Sequence, residues 1–569
     1  MKFSLVLCMV LAMANASSAQ NPEIAADVIF INGNIYTGVP DFSADGVLSE
    51  RAAGDRMWTQ AIAVQAGRIL WTGLNEGASR FKGPTTEVVD LGGHYVLPGF
   101  NDAHTHLASA GLEKLNVDLV GAKSLAEMKQ RISAHARSAA SGEWLQGGGW
   151  DSTLWADQTL PTRQDMDAVT GDHPAIFSRV DGHISVANTA ALKAAEISAQ
   201  TPDPHGGKID HDANGNLTGI LRETARESVS AKIPPPTVAQ RRRAAELALE
   251  DAARWGVTSA QDNSQWEDFL TYEQLEKEGK LTLRISEWLP FDAPVEKLKE
   301  MRAHHPADDP MLHTAMLKGF MDGSLGSRTA ALLAPYSDDP KNSGLPRYEP
   351  DALNKKTAER LQAGFQIGFH AIGDRGNDMA LDAFRYALQT IPAKRPSSFR
   401  LRIEHAQVVA PEDFQRYQDL KVIASMQPNH LLTDMNWAES RLGAERAKHS
   451  YAWKEFLDHG VVLAFGTDYP VEPITPFRGL YAALTRKNEA GIKEYFPEQR
   501  ITIHQAIAAY TTGSAFAQFA EREKGLLAPG MLADFVVLDR DITKVAPSEI
   551  LRTRVLRTVV GGKTVYAAK

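Results

Sequence analysis

Residues 97–106 read Leu-Pro-Gly-Phe-Asn-Asp-Ala-His-Thr-His, and the first indication of the fold lies here. An apolar strand predicted over Tyr95–Phe100 leads directly to the pair His104 and His106. Side chains two positions apart in an extended chain point to the same side, so both imidazoles can reach one metal ion. The pair alone is weak evidence, because 17 histidines in 569 residues give roughly half such a pattern by chance. Its meaning depends on the residues that end the other strands.

Seven further strand candidates follow along the chain, separated mostly by amphipathic helical patterns. They cover Val257–Ala260, Leu281–Leu289, Thr314–Phe320, Phe365–Ala371, Phe399–His405, Val422–Met426 and Val461–Gly466. Eight strands that alternate with helices favour parallel βαβ units closed into a barrel over an open sheet. The predicted fold class is therefore α/β, with a (β/α)₈ TIM-like barrel.

Ligand-type side chains end several of these strands. Strand five ends at His370, strand six at His405 and strand eight at Asp468. In barrels of this type the active site forms at the carboxyl ends of the strands. A single histidine is more often structural than functional, but a whole set at one rim is improbable by accident. Together with the pair after strand one, the set predicts a metal centre.

Lys318 lies near the end of strand four, where a charged and unpaired lysine is costly. A snorkelling or salt-bridged lysine would account for this position. Alternatively, burial and nearby metal ions lower its pKa, and the neutral amine takes up CO₂ to become a carbamate that bridges two metals. The sequence leaves both interpretations open.

Other segments flank and interrupt the barrel, which is predicted over residues 97–524. Short strands in residues 20–96 and 525–569 predict a small β-sandwich built from both chain ends. About residues 107–236 form an inserted subdomain, because so long a stretch between two strands exceeds an ordinary loop.

Residues 1–19 have the pattern of a secretory signal. Lys2 precedes an apolar run that is short for a bilayer span, and small residues close the segment at Ala19. We expect the protein to be exported, to the periplasm or as a secreted protein, and to have no stable membrane span. Cys8 is the only cysteine and lies in this segment, so the ligands must be His and carboxylates. A net charge of −9 gives no reason to expect nucleic acid as a partner.

The ordered ligand set and its flanking motifs resemble the amidohydrolase superfamily. Within it they are similar to the YtcJ-like branch (amidohydrolase family 3), which includes N-substituted formamide deformylase. The motifs are Leu97-Pro98-Gly99-Phe100, His104-x-His106, Asp181-Gly182-His183 with Asn188, Gly219-Ile220-Leu221-Arg222-Glu223, Lys318 with Asp322-Gly323-Ser324, Arg328-Thr329-Ala330, His370-Ala371-Ile372-Gly373-Asp374, His405, Gln427-Pro428 and Gly466-Thr467-Asp468-Tyr469-Pro470. The resemblance covers nearly the whole chain from Asp27 onward, and its motifs hardly constrain the substrate.

The resemblance implies one or two divalent metal ions, with zinc expected. It assigns one metal to His104, His106 and Asp468, a second to His370 and His405, and the bridging position to carboxylated Lys318. Glu223 is an alternative inner-sphere carboxylate or a salt-bridge partner of an arginine. His183 would donate a hydrogen bond to the developing oxyanion, or pack in a lid.

The expected activity is hydrolysis of an amide-type or formamide-type C–N bond, other than a peptide bond, in a small molecule. Attack would come from a metal-bound hydroxide, with Asp468 taking its proton and returning it to the departing nitrogen. Two alternatives stay open: a lactone, ester or phosphoester hydrolase on the same metal site, and a non-catalytic binding protein. The substrate, the number of metals and homo-oligomerisation are not fixed by the sequence.

Overall fold

A computed structural model describes residues 25–38, 57–180, 183–391 and 396–569. The secretory signal predicted over residues 1–19 lies outside these ranges. Within them, no helix has the length and apolar character needed to cross a bilayer.

Eight parallel strands form the central sheet and confirm the predicted barrel. In chain order they are Phe100–Thr105, Val257–Asp262, Arg284–Pro290, Leu312–Phe320, Ile367–Ala371, Arg402–His405, Ile423–Met426 and Leu463–Phe465. The first and last strands meet through a bridge between Thr105 and Tyr469, and the amide of Asp468 donates to the carbonyl of His104 at 2.8 Å. Because the strands are parallel, all their carboxyl ends face one rim.

The first barrel strand differs from the prediction. The run predicted as one strand over Tyr95–Phe100 belongs to two elements: Tyr95–Pro98 joins a sheet of the chain ends, and Phe100–Thr105 begins the barrel. Gly99 separates them, at a point where a Cβ atom would lie 2.1 Å from Oγ1 of Thr258. Both strands are buried, so the apolar run continues through the break and hides it.

Helices surround the barrel and follow most of its strands. They are Leu107–Lys114, Val238–Arg254, Trp266–Lys277, Val295–Ala303, Pro350–Gln362, Asp374–Thr390, Asp413–Leu420, Pro428–Asp434, Ala438–Leu442, Ala444–Ala447, Trp453–Asp458, Pro476–Thr485, Ile503–Ala508 and Ser514–Ala517. Residues 444–458 contain two short helices, Ala444–Ala447 and Trp453–Asp458. Between them Tyr451 has a φ of 52°, which a right-handed helix does not tolerate.

The insertion between the first two barrel strands has a six-stranded sheet of its own. In sheet order its strands are Gly207–His211, Leu217–Glu223, Ile184–Ala187, Ala175–Arg179, Leu145–Trp150 and Val117–Asp118. Its helices are Leu125–Ala136, Arg163–Thr170, Thr189–Ala194 and Ala225–Ser230. Trp150 and Trp155 are buried in its core with ring centroids 6.2 Å apart. The insertion therefore has a hydrophobic core separate from that of the barrel.

Two sheets built from the chain ends form the predicted β-sandwich. One contains Arg68–Gly73, Ala61–Gln65, Val28–Ile31 and Glu87–Asp90. The other contains Lys563–Ala567, Val555–Val560, Phe535–Leu538, Tyr95–Pro98, Asn34–Tyr36 and Trp58–Thr59. Phe30 of the first sheet packs edge-on against Phe535 of the second, with ring centroids 4.8 Å apart. The short helices Asn75–Ala78 and Pro547–Ile550 accompany these sheets.

Candidate metal centre

The predicted ligands of the barrel meet at the carboxyl rim. The ring centroids of His104 and His405 lie 5.0 Å apart, and those of His370 and His405 lie 4.4 Å apart. Asp468 follows the last strand and reaches the pair on the first strand. Residues at the ends of four barrel strands therefore form one cluster at this rim.

One group of ligand atoms comes from His104, His106 and Asp468. Nε2 of His106 lies 3.0 Å from Oδ1 of Asp468, and Nε2 of His104 lies 3.6 Å from the same oxygen. The three ligand atoms of this group lie within 4.8 Å of one another. Two nitrogens and one oxygen in this arrangement suit a cation of the zinc class.

The remaining ring nitrogens of this pair are held by other groups. Nδ1 of His104 lies 3.0 Å from Oε2 of Glu404, whose other oxygen accepts a hydrogen bond from Arg402 at 2.8 Å. Nδ1 of His106 lies 3.0 Å from the carbonyl of Asn263. Because these acceptors take the proton at Nδ1, the lone pair of each Nε2 faces the centre, as metal-ligating histidines require.

His370 and His405 form the neighbouring part of the cluster. Nε2 of His370 donates to the carbonyl of Gly323 at 3.0 Å, so its Nδ1 is the atom available for a metal. Burial, followed by the charge of Lys318, lowers the pKa of His370 to about 3. Burial and the neighbouring His370 hold the pKa of His405 far below its usual value. Both rings are therefore neutral at physiological pH, the form that binds metals.

Lys318 points into the same cluster. Its Nζ lies 3.0 Å from Nε2 of His104 and 4.8 Å from the ring centroid of Trp288. Burial lowers the pKa of Lys318 to about 8, although the charges of Glu404 and Asp468 act in the opposite direction. A substantial fraction of neutral amine is thus present near physiological pH, as carbamate formation requires.

One histidine of the cluster, His430, was not predicted from the sequence. His430 lies in the helix Pro428–Asp434, which follows the seventh barrel strand. Its ring stacks on that of His405 at 6.0 Å and 14°, and its Nε2 lies 3.6 Å from Oδ2 of Asp468. The available signal was the Gln427-Pro428 motif, two positions before this histidine.

Three buried polar atoms of the cluster have no hydrogen-bond partner: Nδ1 of His405, Nε2 of His430 and Oδ1 of Asp468. Buried polar groups are nearly always paired, and divalent cations held by this cluster would satisfy these atoms. His405, His430 and Asp468 indeed form a second group whose ligand atoms lie within 4.8 Å of one another. The residues present fit one or two divalent metal ions.

Asp102 connects the two barrel strands that carry the first group. Its carboxylate accepts hydrogen bonds from the amide of Thr467 at 2.9 Å and from the amide of His104 at 3.1 Å. A Cβ atom on Gly466 would lie 2.7 Å from Oδ1 of Asp102. The absence of a side chain at Gly466 therefore permits this contact, which fixes His104 relative to Asp468.

Asp322 has a corresponding role for the fifth strand. Its carboxylate accepts hydrogen bonds from the amides of Ile372 at 3.0 Å, Gly373 at 2.8 Å and Ala331 at 2.9 Å. Two of these amides directly follow the strand that carries His370, whose Nε2 lies 3.5 Å from Oδ1 of Asp322. The Asp322-Gly323-Ser324 motif therefore positions a ligand from outside the cluster.

His183 and Glu223 lie on the insertion. Nδ1 of His183 lies 3.0 Å from Oε2 of Glu223, and their side chains are 66% and 54% exposed. Among the described residues, neither joins a group of metal-ligating atoms. The structure thus pairs these two residues with each other and does not place them in the buried cluster.

A cleft of about 800 Å³ lies between the barrel and the insertion. Tyr469 and Pro470, which follow Asp468, line it on the barrel side, and Gln146 and Gly147 line it on the insertion side. A cleft of this size accommodates a small organic molecule.

The barrel and its rim of histidines define a metal-dependent hydrolase. The chain belongs to the amidohydrolase family, whose model matches residues 87–566. It is 33% identical to the protein LONG AFTER FAR-RED 3 of Arabidopsis thaliana over 95% of this chain and 92% of that protein. It is 32% identical to YtcJ of Bacillus subtilis, a protein assigned to the amidohydrolases by name, over 90% and 96% of the two chains.

Two further similarities agree with this membership. The chain is 27% identical to N-substituted formamide deformylase of Arthrobacter pascens, over 89% of this chain and 95% of that enzyme. A crystal structure of an uncharacterized metal-dependent hydrolase from Pyrococcus furiosus superposes with a TM-score of 0.75 at 31% identity, over 91% of this chain and all of that one. The predicted resemblance to the family is confirmed.

Proposed function

We propose that the protein hydrolyses an amide-type C–N bond, other than a peptide bond, in a small molecule. The observation that carries the proposal is the set of three unpaired, buried ligand atoms on His405, His430 and Asp468. These three residues form a group whose ligand atoms lie within 4.8 Å of one another, at the rim where barrel enzymes act. The similarity to an enzyme named for formamide deformylation supports the C–N bond over other bonds.

We propose zinc as the metal, held by His104, His106 and Asp468, with His370, His405 and Lys318 around a second position. When bound, such a cation lowers the pKa of water towards neutrality and polarises a carbonyl group. The chain lacks a thiol outside residues 1–19, so nitrogen and oxygen ligands are the ones it offers. Carboxylation of Lys318 is part of the proposal, supported by its lowered pKa and its contact with His104.

Asp468 is proposed as the group that moves the proton. Its carboxylate faces both ligand groups, with Oδ1 near His106 and Oδ2 near His430. From there it can accept a proton from the attacking water and deliver it to the departing nitrogen. Without that proton an amine anion would be too basic to leave.

His183 is proposed to donate a hydrogen bond to the oxyanion. The contact of its Nδ1 with Oε2 of Glu223 at 3.0 Å orients the ring for this role. His183→Gln keeps a donor and should retain more activity than His183→Ala, with equal metal content in both. Equal activity of the two variants at the wild-type level would contradict this role.

The test of the function uses purified protein with measured metal content. We expect chelation to abolish hydrolysis and added Zn²⁺ to restore it, with N-formyl, N-acyl and cyclic amides turned over faster than isosteric esters, lactones and phosphoesters. Preference for an ester, lactone or phosphoester would identify the other class of hydrolase. A metal-loaded protein inactive on all of them would favour a binding protein.

Export is proposed as well, on the pattern of residues 1–19. Amino-terminal sequencing of the mature protein from the native cell should find a start after Ala16 or Ala19. A mature protein that begins at Met1 in the cytoplasm would contradict export.

A further inference from the structure

A second cluster of histidine and carboxylate side chains lies at the opposite end of the barrel. Glu276 is near the carboxyl end of the helix Trp266–Lys277, which leads towards the third barrel strand. His305 and Asp309 lie in the loop that precedes the fourth strand, Leu312–Phe320. Segments that enter strands lie at the amino-terminal rim, so this cluster is remote from the hydrolytic centre.

The distances within this cluster are those of metal ligands. Nε2 of His305 lies 3.5 Å from Oε2 of Glu276 and 3.4 Å from Oδ2 of Asp309. All three ligand atoms lie within 4.8 Å of one another. Tetrahedral zinc with bonds of about 2.0–2.1 Å places neighbouring ligand atoms about 3.3–3.4 Å apart. The two contacts of His305 therefore match the edges of a tetrahedral site.

A contact at the other ring nitrogen fixes the orientation of the His305 ring. Its Nδ1 lies 3.1 Å from Oε1 of Glu273, one turn before Glu276 on the same helix. A carboxylate can only accept, so Nδ1 carries the proton and the lone pair of Nε2 faces Glu276 and Asp309. This is the carboxylate–histidine–metal order found in zinc proteins.

Nε2 of His305 is buried and unsatisfied. The side chain of His305 is 7% exposed, and its Nε2 has no hydrogen-bond partner despite the two nearby carboxylates. A lone pair that faces two carboxylates is repelled by them unless a cation lies between.

We propose that Glu276, His305 and Asp309 bind a divalent metal ion of the zinc class, with Glu273 positioning the His305 ring. The ion joins the end of a barrel helix to the loop that enters the fourth strand. Its role is structural, because binding to the folded chain alone stabilises the fold. The proposal is independent of the hydrolytic activity.

The test measures metal content and thermal stability of the full chain. Four proteins are equilibrated with Zn²⁺ and then freed of unbound Zn²⁺. They are wild type, His305→Ala, the double variant Glu276→Gln/Asp309→Asn and the control Asp308→Asn. Asp308 is an exposed acid in the same loop, next to Asp309. We expect wild type and Asp308→Asn each to retain one more equivalent of zinc than His305→Ala and the double variant. Zinc binding at this site should raise the Tm of wild type and Asp308→Asn only.

A second comparison separates this site from the hydrolytic centre. His106→Asn should lose metal from that centre and activity, yet keep the equivalent that the double variant loses. Glu273→Gln leaves the three ligands in place and should weaken zinc binding about 10- to 100-fold, the usual effect of losing such a support. This variant keeps the proposal testable should the double variant fail to fold.

Equal zinc content in wild type, His305→Ala and the double variant would overturn the proposal. It would show that contacts within the chain alone hold these three side chains together. Unchanged zinc affinity in Glu273→Gln would contradict the proposal independently.

Discussion

Oδ2 of Asp468 lies 3.6 Å from Nε2 of His430, while Oδ1 of the same carboxylate lies 3.0 Å from Nε2 of His106. Asp468 thus belongs to both groups of ligand atoms, one shared with the pair on the first strand and one shared with His405. A carboxylate with one oxygen towards each group is suited to connect two metal positions and to move a proton between reacting atoms.

Removal of His430 should therefore impair the centre. We expect His430→Asn to lower metal content and kcat about 10- to 100-fold, the scale seen when a supporting group of a metal site is lost. His449→Asn is the control. Nδ1 of His449 lies 3.0 Å from Oε2 of Glu455, and this pair is not part of the centre. Wild-type metal content and rate in His430→Asn would show that this histidine only packs beside His405.

Substitution at Asp468 separates proton transfer from metal binding. Asparagine keeps the shape and one oxygen but cannot take a proton at neutral pH. We expect Asp468→Asn to keep much of its metal and to lose on the order of a hundredfold or more in kcat, with larger losses for basic leaving amines than for anilides. His370→Asn should instead lose metal first. An equal loss across the leaving-group series, with metal retained, would assign the proton to another residue.

Lys318→Ala should lose metal and activity together. If a carbamate on Lys318 bridges two metals, a short carboxylate such as formate or acetate should partly restore both, and chloride at equal ionic strength should not. Metal content and initial rates measured with each salt provide the readout. Full metal content and rate without any added carboxylate would exclude the bridging role.

Glu404 is expected to act through His104. Glu404→Gln keeps an acceptor for Nδ1 but loses the negative charge that supports the ring and that pairs with Arg402 at 2.8 Å. We expect metal affinity to fall about 10- to 100-fold, with kcat recovering when Zn²⁺ is raised. Glu412→Gln is the control, because Glu412 is an exposed acid directly before the helix Asp413–Leu420. A fall in kcat at saturating metal with unchanged affinity would contradict a positioning role.

Lys524 should make stability depend on pH. Burial lowers the pKa of Lys524 to about 7 from its ordinary value of 10.5. Between these values the unfolded chain binds a proton at this lysine that the folded chain does not, so stability rises with pH in that window.

Replacement of Lys524 by methionine removes this dependence. The free energy of unfolding of Lys524→Met relative to wild type should therefore fall as the pH rises from about 7, by up to about 1.4 kcal/mol per pH unit. Urea unfolding at several pH values measures the difference. Lys544→Met should show no such trend, because the side chain of Lys544 is 70% exposed. Parallel curves for wild type and Lys524→Met would contradict the prediction.

The strand pattern predicted much of the side-chain cluster at the rim, because the clustered side chains sit at strand ends. In a parallel barrel those ends share one rim, so chain order was enough to bring His370, His405 and Asp468 together. His430 could not be found in this way, since it lies in a helix after a strand and only the turn of that helix directs it inward. The division of the run at Gly99 was missed because both neighbouring strands are buried.

The class of fold, the order of the barrel strands and the type of ligand side chain follow from the sequence alone. They do so because hydrophobic periodicity and residue chemistry are local properties. The tertiary structure alone decided which atoms face one another. The tautomers of His104 and His106 depend on Glu404 and a distant carbonyl, and the cluster around His305 joins a helix to a loop. Such distances follow from barrel closure and packing, which no spacing along the chain contains.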